Sequence, residues 1–272
     1  MRRKWKIGII FLIGFLLCSL PLVNNYIEVK QQESAISTYR NAVKRSPKNN
    51  LSKIYKKAKR YNDLLYQTQG SAISNDEILS DDNYNQSLDV SGTGIMGSLE
   101  IPKIDVDLPI NHGTSDEALS NGVGHIQGTS LPVGGNNTHA VLSGHRGLPS
   151  SKLLVRLDEM KKGDYFFIRT CNKTLAYKIY NIKVVEPSDI STLKIEKNKD
   201  IVSLVTCTPY GLNTHRLVVT GKRVPYEENV YKSIDEGIPS IREILTNALP
   251  LIFLVVFVVL TVPDIIRRRK NS

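Results

Sequence analysis

The chain has 272 residues, with 36 Lys or Arg against 26 Asp or Glu, for a formal net charge of +10. A hydrophobic share of 41% and a charged share of 23% exclude a disordered or low-complexity chain, and three cysteines exclude both a disulfide-dense scaffold and a four-cysteine zinc site. A charge of this sign first suggests a nucleic-acid or membrane-surface binder. Its location argues otherwise. Arg2, Arg3, Lys4 and Lys6 lie at one end, and Arg267, Arg268, Arg269 and Lys270 lie at the other beside Asp264; without these, 28 basic and 25 acidic residues remain. The middle is nearly neutral, and no nucleic-acid partner is expected.

Each basic cluster borders an apolar stretch. Ile7 to Val23 holds 17 residues and Ile244 to Pro263 holds 20, all uncharged. A bilayer core needs about 20 apolar residues in helix, so both read as transmembrane spans. The first reads as an uncleaved anchor. Ser19-Leu20-Pro21 is a poor substitute for an A-x-A cleavage site, and Leu17 is too large to precede a lipoprotein cysteine at Cys18. Positive flanks stay cytoplasmic. The expected topology is two-pass in the cell membrane, with both termini cytoplasmic and the segment from about Asn24 to Arg242 outside. The expected organisation is a basic tail (1–6), an anchor (7–23), a helical extension and linker (24–94), a β-rich catalytic domain (95–225), a juxtamembrane segment (226–243), a second span (244–263) and a basic tail (264–272).

Between Glu28 and Gln69, apolar residues recur at helical spacing: Ala35, Tyr39, Ala42 and Val43, then Ile54, Ala58, Tyr61, Leu64 and Leu65. Ser46-Pro47 breaks the pattern, which predicts two helices packed on the next domain. Gly70 to Gly94 is polar and reads as a long surface linker with one helical turn. From Ile95 the character changes. LEIPKIDVDLPI, VGHIQGT, HAVLSGH, DYFFIRT, LAYKIYNIKVV, IVSLVTC and RLVVTGKRV are short runs rich in Val, Ile and Tyr, separated by Gly, Pro, Asn and Asp. They predict an all-β barrel or sandwich. Ser115–Leu119 and Leu153–Leu157 read as short helices.

Cys207 ends the run IVSLVT, and a cysteine delivered to a strand end suits a nucleophile displayed at a sheet edge. The same residue type also serves as an inert small core residue. Thr208-Pro209-Tyr210-Gly211 is a turn composition, after which Arg216 opens the next apolar run, so Cys207 and Arg216 flank a connection between antiparallel strands. A thiol nucleophile needs a proton-transfer partner. Among His112, His125, His139, His145 and His215, His145 stands out in Ser143-Gly144-His145-Arg146-Gly147, where small neighbours leave the imidazole accessible. An arginine near a reacting carbonyl stabilises developing oxyanion charge, a role open to Arg216, although strand arginines are usually solvated. Cys171 lies in a turn composition without a comparable setting.

These residues lie in longer patterns. Ser203-Leu204-Val205-Thr206-Cys207 is similar to the TLxTC strand motif of the sortases, the Gram-positive surface transpeptidases. Thr208 to Leu217 (TPYGLNTHRL), Gly128 to Pro149 (GTSLPVGGNNTHAVLSGHRGLP) and Met96 to Thr114 (MGSLEIPKIDVDLPINHGT) resemble the pilin-polymerising class C branch. The resemblance is dense from about Gly94 to Val224. It implies a mainly β fold: a sortase-like closed β-barrel with short helices, an N-terminal helical extension and two flanking transmembrane helices.

The resemblance places the family's catalytic cysteine on Cys207, its histidine on His145 and its arginine on Arg216. It implies that the Cys207 thiolate cleaves an LPxTG-like sorting signal between Thr and Gly, and that a pilin lysine then resolves the thioester into an isopeptide bond. Pilin subunits carrying such signals and the lipid bilayer are the implied partners. No cofactor or metal is expected, since no acidic cluster has calcium-loop spacing. Ser203 stands where the motif usually has Thr, a small change because both carry a hydroxyl. The Asp-Pro-aromatic lid motif of pilin sortases is missing from Gly70 to Gln86 (GSAISNDEILSDDNYNQ), which predicts an open Cys207. A sortase that anchors surface proteins to the cell wall is the nearest alternative. A silent scaffold or adhesion module and a plain cysteine peptidase stand further off. Cys171 and Cys207 are expected to remain unpaired, because a disulfide would block the nucleophile.

Overall fold

The computed structural model describes residues 2–68, 81–146, 153–235, 237, 244–245 and 248–259. They fall into two compact units, one from Met1–Glu28 with Ile238–Ser272 and the other from Val29–Gly237.

The part of helix α1 (Arg2–Arg45) that belongs to the first unit exposes Ile10, Leu12, Ile13, Leu16 and Leu17, the side chains that a lipid environment would cover. Among the described residues, this is the one helix long and apolar enough to cross a membrane. The described core of the second expected span is helix α6 (Ala248–Val259), which is shorter than the roughly 20 residues a span requires. Phe11 stacks on Phe253 with ring centroids 5.1 Å apart. A Cβ on Gly14 would come within 2.8 Å of the Phe253 ring, so glycine makes room for that contact.

The second unit is built on an eight-stranded closed barrel. Its strands are β1 (Ile95–Ile101), β2 (Val106–His112), β3 (Val123–His125), β4 (Thr138–Ser143), β5 (Tyr165–Thr170), β6 (Lys173–Val185), β7 (Asp200–Thr208) and β8 (His215–Val224). The order around the barrel is β1-β2-β3-β4-β7-β8-β6-β5. The β2/β3 and β4/β7 pairs are parallel, and the other pairings are antiparallel. The expected β-barrel is therefore present. The run LEIPKIDVDLPI is divided between β1 and β2, because Pro102–Ile104 make a 3-10 turn closed by Asp105 at φ 54°. Pro102 supplies no N–H to a ladder, which suits a break there. Of the two short helices expected, one is α4 (Asp116–Asn121), whose cap Ser115 accepts from the Ala118 N–H. The other is a turn at 153–156 running into a 3-10 helix at Leu157–Glu159.

The two predicted extension helices meet at Ser46-Pro47, as α1 ends at Arg45 and α2 spans Lys48–Thr68. They pack on the barrel through apolar faces and a few directed polar bonds. Ala58 and Tyr61 join the main core with Leu99, Ile110, Leu142, Phe166 and Val219. The Tyr39 hydroxyl donates to the Met96 carbonyl at 2.9 Å and accepts from the Cys171 N–H. Asn62, 2% exposed, donates to the Leu131 carbonyl at 3.0 Å and accepts from the Leu131 N–H at 2.7 Å. Glu100 on β1 gathers Arg40 from α1, Arg169 from β5 and Tyr231 from α5 (Glu228–Lys232).

The stretch before β1 departs from the expected surface linker. Its described part begins with the short helix α3 (Asp81–Asn85), which buries Tyr84; Leu88 follows, fully buried. The Tyr84 hydroxyl lies 3.0 Å from His125 Nδ1 and accepts from the Gly113 N–H. Polar composition hid this plug, because only two apolar side chains carry it. Most of the stretch where a lid was sought, residues 70–80, lies outside the described residues.

Two predictions follow from this packing. Asn62→Leu orphans the Leu131 N–H and C=O together, so unfolding of the whole chain in detergent should show a loss of roughly 2–4 kcal/mol. His125 is fully buried, and burial lowers its pKa from 6.5 to about 4. Below pH 6.5 the unfolded chain binds a proton that the folded chain refuses, so this contribution is complete above 6.5 and shrinks as pH falls toward 4. Unfolding measured at pH 7.5 and pH 5 should show a loss of about 2 kcal/mol from this group, and His125→Gln should remove that part of the slope.

Candidate active site

Side chains alternate between the two faces of a strand, so every second residue of β4, β7 and β8 points out of the barrel. Ala140, Leu142, Val202, Leu204, Leu217 and Val219 belong to the main core, whereas Val141, Val205 and Val218 form a separate cluster on the outer face. Cys207 lies two residues past Val205 and Arg216 two before Val218, so both continue the outer face. They are direct partners across the antiparallel β7/β8 ladder. On the other side, β4 runs parallel to β7 with Ser143 opposite Val205. The Gly144 N–H continues that ladder to the Val205 carbonyl at 3.0 Å, and the register carried two residues on sets His145 level with Cys207. The three candidate side chains thus stand at neighbouring strand ends, in the order His145, Cys207, Arg216. Each is half-buried, which leaves it open to a substrate.

Several neighbours fix this end of the barrel. The buried Thr206 hydroxyl donates to the Gly144 carbonyl at 2.8 Å, tying β7 to the residue before His145. The His145 carbonyl accepts from the Leu154 N–H. A Cβ on Gly144 would lie 2.8 Å from Leu154 Cδ1, so the glycine before His145 serves close packing. Arg146, 8% exposed, donates from Nε to the Val155 carbonyl and from Nη1 to Thr208 Oγ1, and pairs with Asp158. It therefore holds the residue after Cys207. Arg216 Nη1 donates to the Asn213 and His215 carbonyls at 3.1 Å, which draws the guanidinium onto its own turn. Thr206, Thr208 and Arg146 were not singled out in the sequence. An inward hydroxyl in an otherwise apolar strand was the available signal for Thr206.

The remaining candidates separate cleanly. Cys171 and Asn172 form the two-residue β5–β6 turn, with φ 45° and 63°. Cys171 is buried, and burial raises its thiol pKa to about 11. Strand β6 runs from Lys173 to Val185, and Val185 pairs with Arg216, so Cys171 lies at the far end of β6, roughly 40 Å away along a strand rising about 3.3 Å per residue. A disulfide needs Cα atoms within about 7 Å. All three cysteines are free. His125 plugs against Tyr84, His112 bonds to the Ser87 and Gly94 carbonyls, His139 is buried in β4, and His215 pairs with Glu186. Among the described residues, no cluster of three His, Cys, Asp or Glu could hold a metal ion.

A mainly β closed barrel with a half-buried cysteine at a strand end, beside a histidine and an arginine, has the form of a thiol acyl-transfer enzyme. The family model for the sortase domain matches residues 99–224. Sortase A of Streptococcus agalactiae is 30% identical over 174 residues, covering 61% of this chain and 68% of that protein. Sortase D of Bacillus subtilis is 36% identical over 131 residues, covering 47% of this chain and 63% of that relative's length, a little under two thirds. The crystal structure of sortase C1 from Streptococcus agalactiae superposes with a TM-score of 0.66 at 44% identity, covering 71% of this chain and all (100%) of that one. Sortase C of Clostridium perfringens, solved with the C-terminal cell wall sorting motif, gives 0.61 at 41% identity, covering 71% of this chain and 99% of that one. The chain belongs to the sortase family of cysteine transpeptidases, and these structural neighbours are of class C.

The burial difference between the cysteines predicts their reactivity. With iodoacetamide at pH 7.5, Cys207 in the folded chain should be alkylated at least about tenfold faster than Cys171, whose buried thiol is almost wholly protonated. Peptide mapping after timed quenching reads the ratio.

Proposed function

We propose that Cys207, His145 and Arg216 carry out a two-step acyl transfer on LPxTG-like sorting signals, and that the acceptor is a pilin lysine. The observation that supports this reading is their alignment on three neighbouring strand ends of one outer face. In the first step, Cys207 Sγ bonds to the Thr carbonyl carbon. The C–N bond to Gly breaks, and the departing amine takes its proton from His145. Arg216, freed from its own turn, stabilises the tetrahedral oxyanion. In the second step, a lysine Nζ attacks the thioester, His145 accepts its proton, and the Cys207 thiolate leaves as the isopeptide forms. The acyl energy of the original peptide is retained in the thioester, so no nucleotide is consumed.

Polymerisation rather than wall anchoring is favoured by the TPYGLNTHRL segment around the β7–β8 turn and by the class C sortases among the structural neighbours. The apolar part of α1 is read as the membrane anchor. The segment 244–263 is read as a second span, with both basic tails cytoplasmic and the barrel outside.

The test incubates the whole chain, in detergent, with a pilin carrying an LPxTG-like signal and maps products by mass spectrometry. A pilin-to-pilin isopeptide is expected. Cys207→Ala should abolish it, His145→Ala should lower its rate by about 10²–10⁴-fold and Arg216→Ala by about 10²–10³-fold, while Cys171→Ala leaves it unchanged. Isopeptide formation by Cys207→Ala would refute the assignment. Transfer to a cell-wall amine in place of the pilin lysine would select the anchoring alternative.

A further inference from the structure

His139 is 1% exposed in the middle of β4, and both its ring nitrogens are engaged. Nδ1 lies 2.8 Å from the Lys194 carbonyl oxygen, which can only accept, so Nδ1 carries the proton. Nε2 is then the acceptor, 2.8 Å from Ser203 Oγ. Ser203 Oγ lies 2.9 Å from Thr220 Oγ1. The donors therefore run from Thr220 to Ser203, from Ser203 to His139, and from His139 to the Lys194 carbonyl. Burial lowers the His139 pKa, against a hydrogen bond to Lys194 and the charge of Glu196 that raise it, which favours the neutral ring. The Lys194 carbonyl thus fixes which nitrogen donates, and the Ser203 hydroxyl, turned as donor, holds the other nitrogen in place.

The relay ends on the loop that joins β6 to β7, residues 186–199. Within it, Ser191–Leu193 form a 3-10 turn, and Leu193 packs on the outer valine cluster of Val141, Val205 and Val218. The carbonyl of the very next residue, Lys194, accepts the hydrogen bond from His139 Nδ1–H. The loop begins beside the candidate site, because Val185 pairs with Arg216. It leaves the sheet level with the Cys207–Arg216 pair and is drawn back onto the outer face at the Ser203–Thr220 pair, four residue pairs below. Its far end is held by the Asn198 N–H on Asn137 Oδ1. Before the Lys194 tie, Ile190 is an exposed apolar side chain of this loop, at 69%.

We propose that His139 is a positioning residue for the acyl-donor peptide: it clamps the 186–199 loop onto the face that carries Cys207 and so shapes the wall of the groove where the peptide lies. The proposal rests on Cys207 as the nucleophile. It assigns a task to the first residue of the cysteine strand motif, since either Ser or Thr at position 203 supplies the hydroxyl that orients His139, and Ala does not.

The whole chain in detergent is assayed with a quenched fluorescent Leu-Pro-Glu-Thr-Gly peptide and, separately, exposed to trypsin under native conditions. Losing the clamp should raise KM about 5–10-fold in His139→Phe with kcat within about twofold, the size expected for one buried hydrogen bond acting on peptide binding. Cleavage after Lys194 and Lys197 should quicken by about tenfold, as the loop opens locally. Ser203→Ala should move both readouts in the same direction, and Ser203→Thr should match the original chain. Alkylation of Cys207 by iodoacetamide should keep its rate in every variant. Unchanged KM and unchanged cleavage in His139→Phe overturn the proposal, as does a fall in kcat with KM unmoved. If His139→Phe does not fold, the Ser203 pair decides by the same readouts. Should Cys207→Ala still turn over the peptide, the catalytic reading fails, and the trypsin experiment still decides whether His139 holds the loop.

Discussion

Two-residue alternation along three hydrogen-bonded neighbours, β4, β7 and β8, is the constraint on which this molecule depends. Each strand buries one set of side chains in the barrel and presents the other set outward. A slip of one residue in β7 would turn Cys207 into the core and bring Thr206 out. The inward set, including Leu142, Leu204 and Val219, makes such a slip costly, because each is fully buried. The register is thus held by apolar burial at the middle of the strands and expressed as chemistry at their ends. The bond from Thr206 to the Gly144 carbonyl extends the same logic past the last ladder pair, where His145 leaves β4.

Burial also divides the labour among residues of one type. Cys171 and Cys207 are both free, yet one is shut in a turn against Tyr39 and the other stands half-open at a strand end. The histidines divide the same way. His125 and His139 are buried, which lowers the pKa of each, and they act as directional hydrogen-bond parts. His145 sits on a backbone fixed by its neighbours while its ring remains accessible. A thiol or imidazole can be rigidly placed and still reachable only at the rim of such a barrel, where the ladder ends but its geometry persists.

The helical extension serves the barrel rather than the chemistry directly. Asn62, Tyr39 and Tyr55 each spend a polar side chain on a barrel backbone group. Buried backbone polar groups away from a ladder need such partners. Glu100 collects charged and polar groups from α1, β5 and α5 on β1, four strand positions round the barrel from β7 in either direction. The stabilising polar network and the candidate site therefore occupy different sectors of the barrel, and one can be altered without touching the other.

Much of this was legible in the amino-acid sequence. The clustering of charge at the ends separated flanking segments from a neutral middle, Ser46-Pro47 marked the helix break, and runs of Val, Ile and Tyr marked the strands. Cys207 and Arg216 could be placed together because a short turn between antiparallel strands forces nearby residues to pair. Local pattern could not show where LEIPKIDVDLPI breaks between β1 and β2, that Tyr84 plugs the barrel from a polar segment, or that Arg146 holds Thr208. Those depend on contacts between residues far apart in the chain. The sequence by itself determined which side chains alternate and where thiol, imidazole and guanidinium lie along their strands. Only the tertiary structure decided that β4 lies parallel to β7, and hence that His145 stands level with Cys207, because pairing between strands some sixty residues apart is set by closing the barrel around its core.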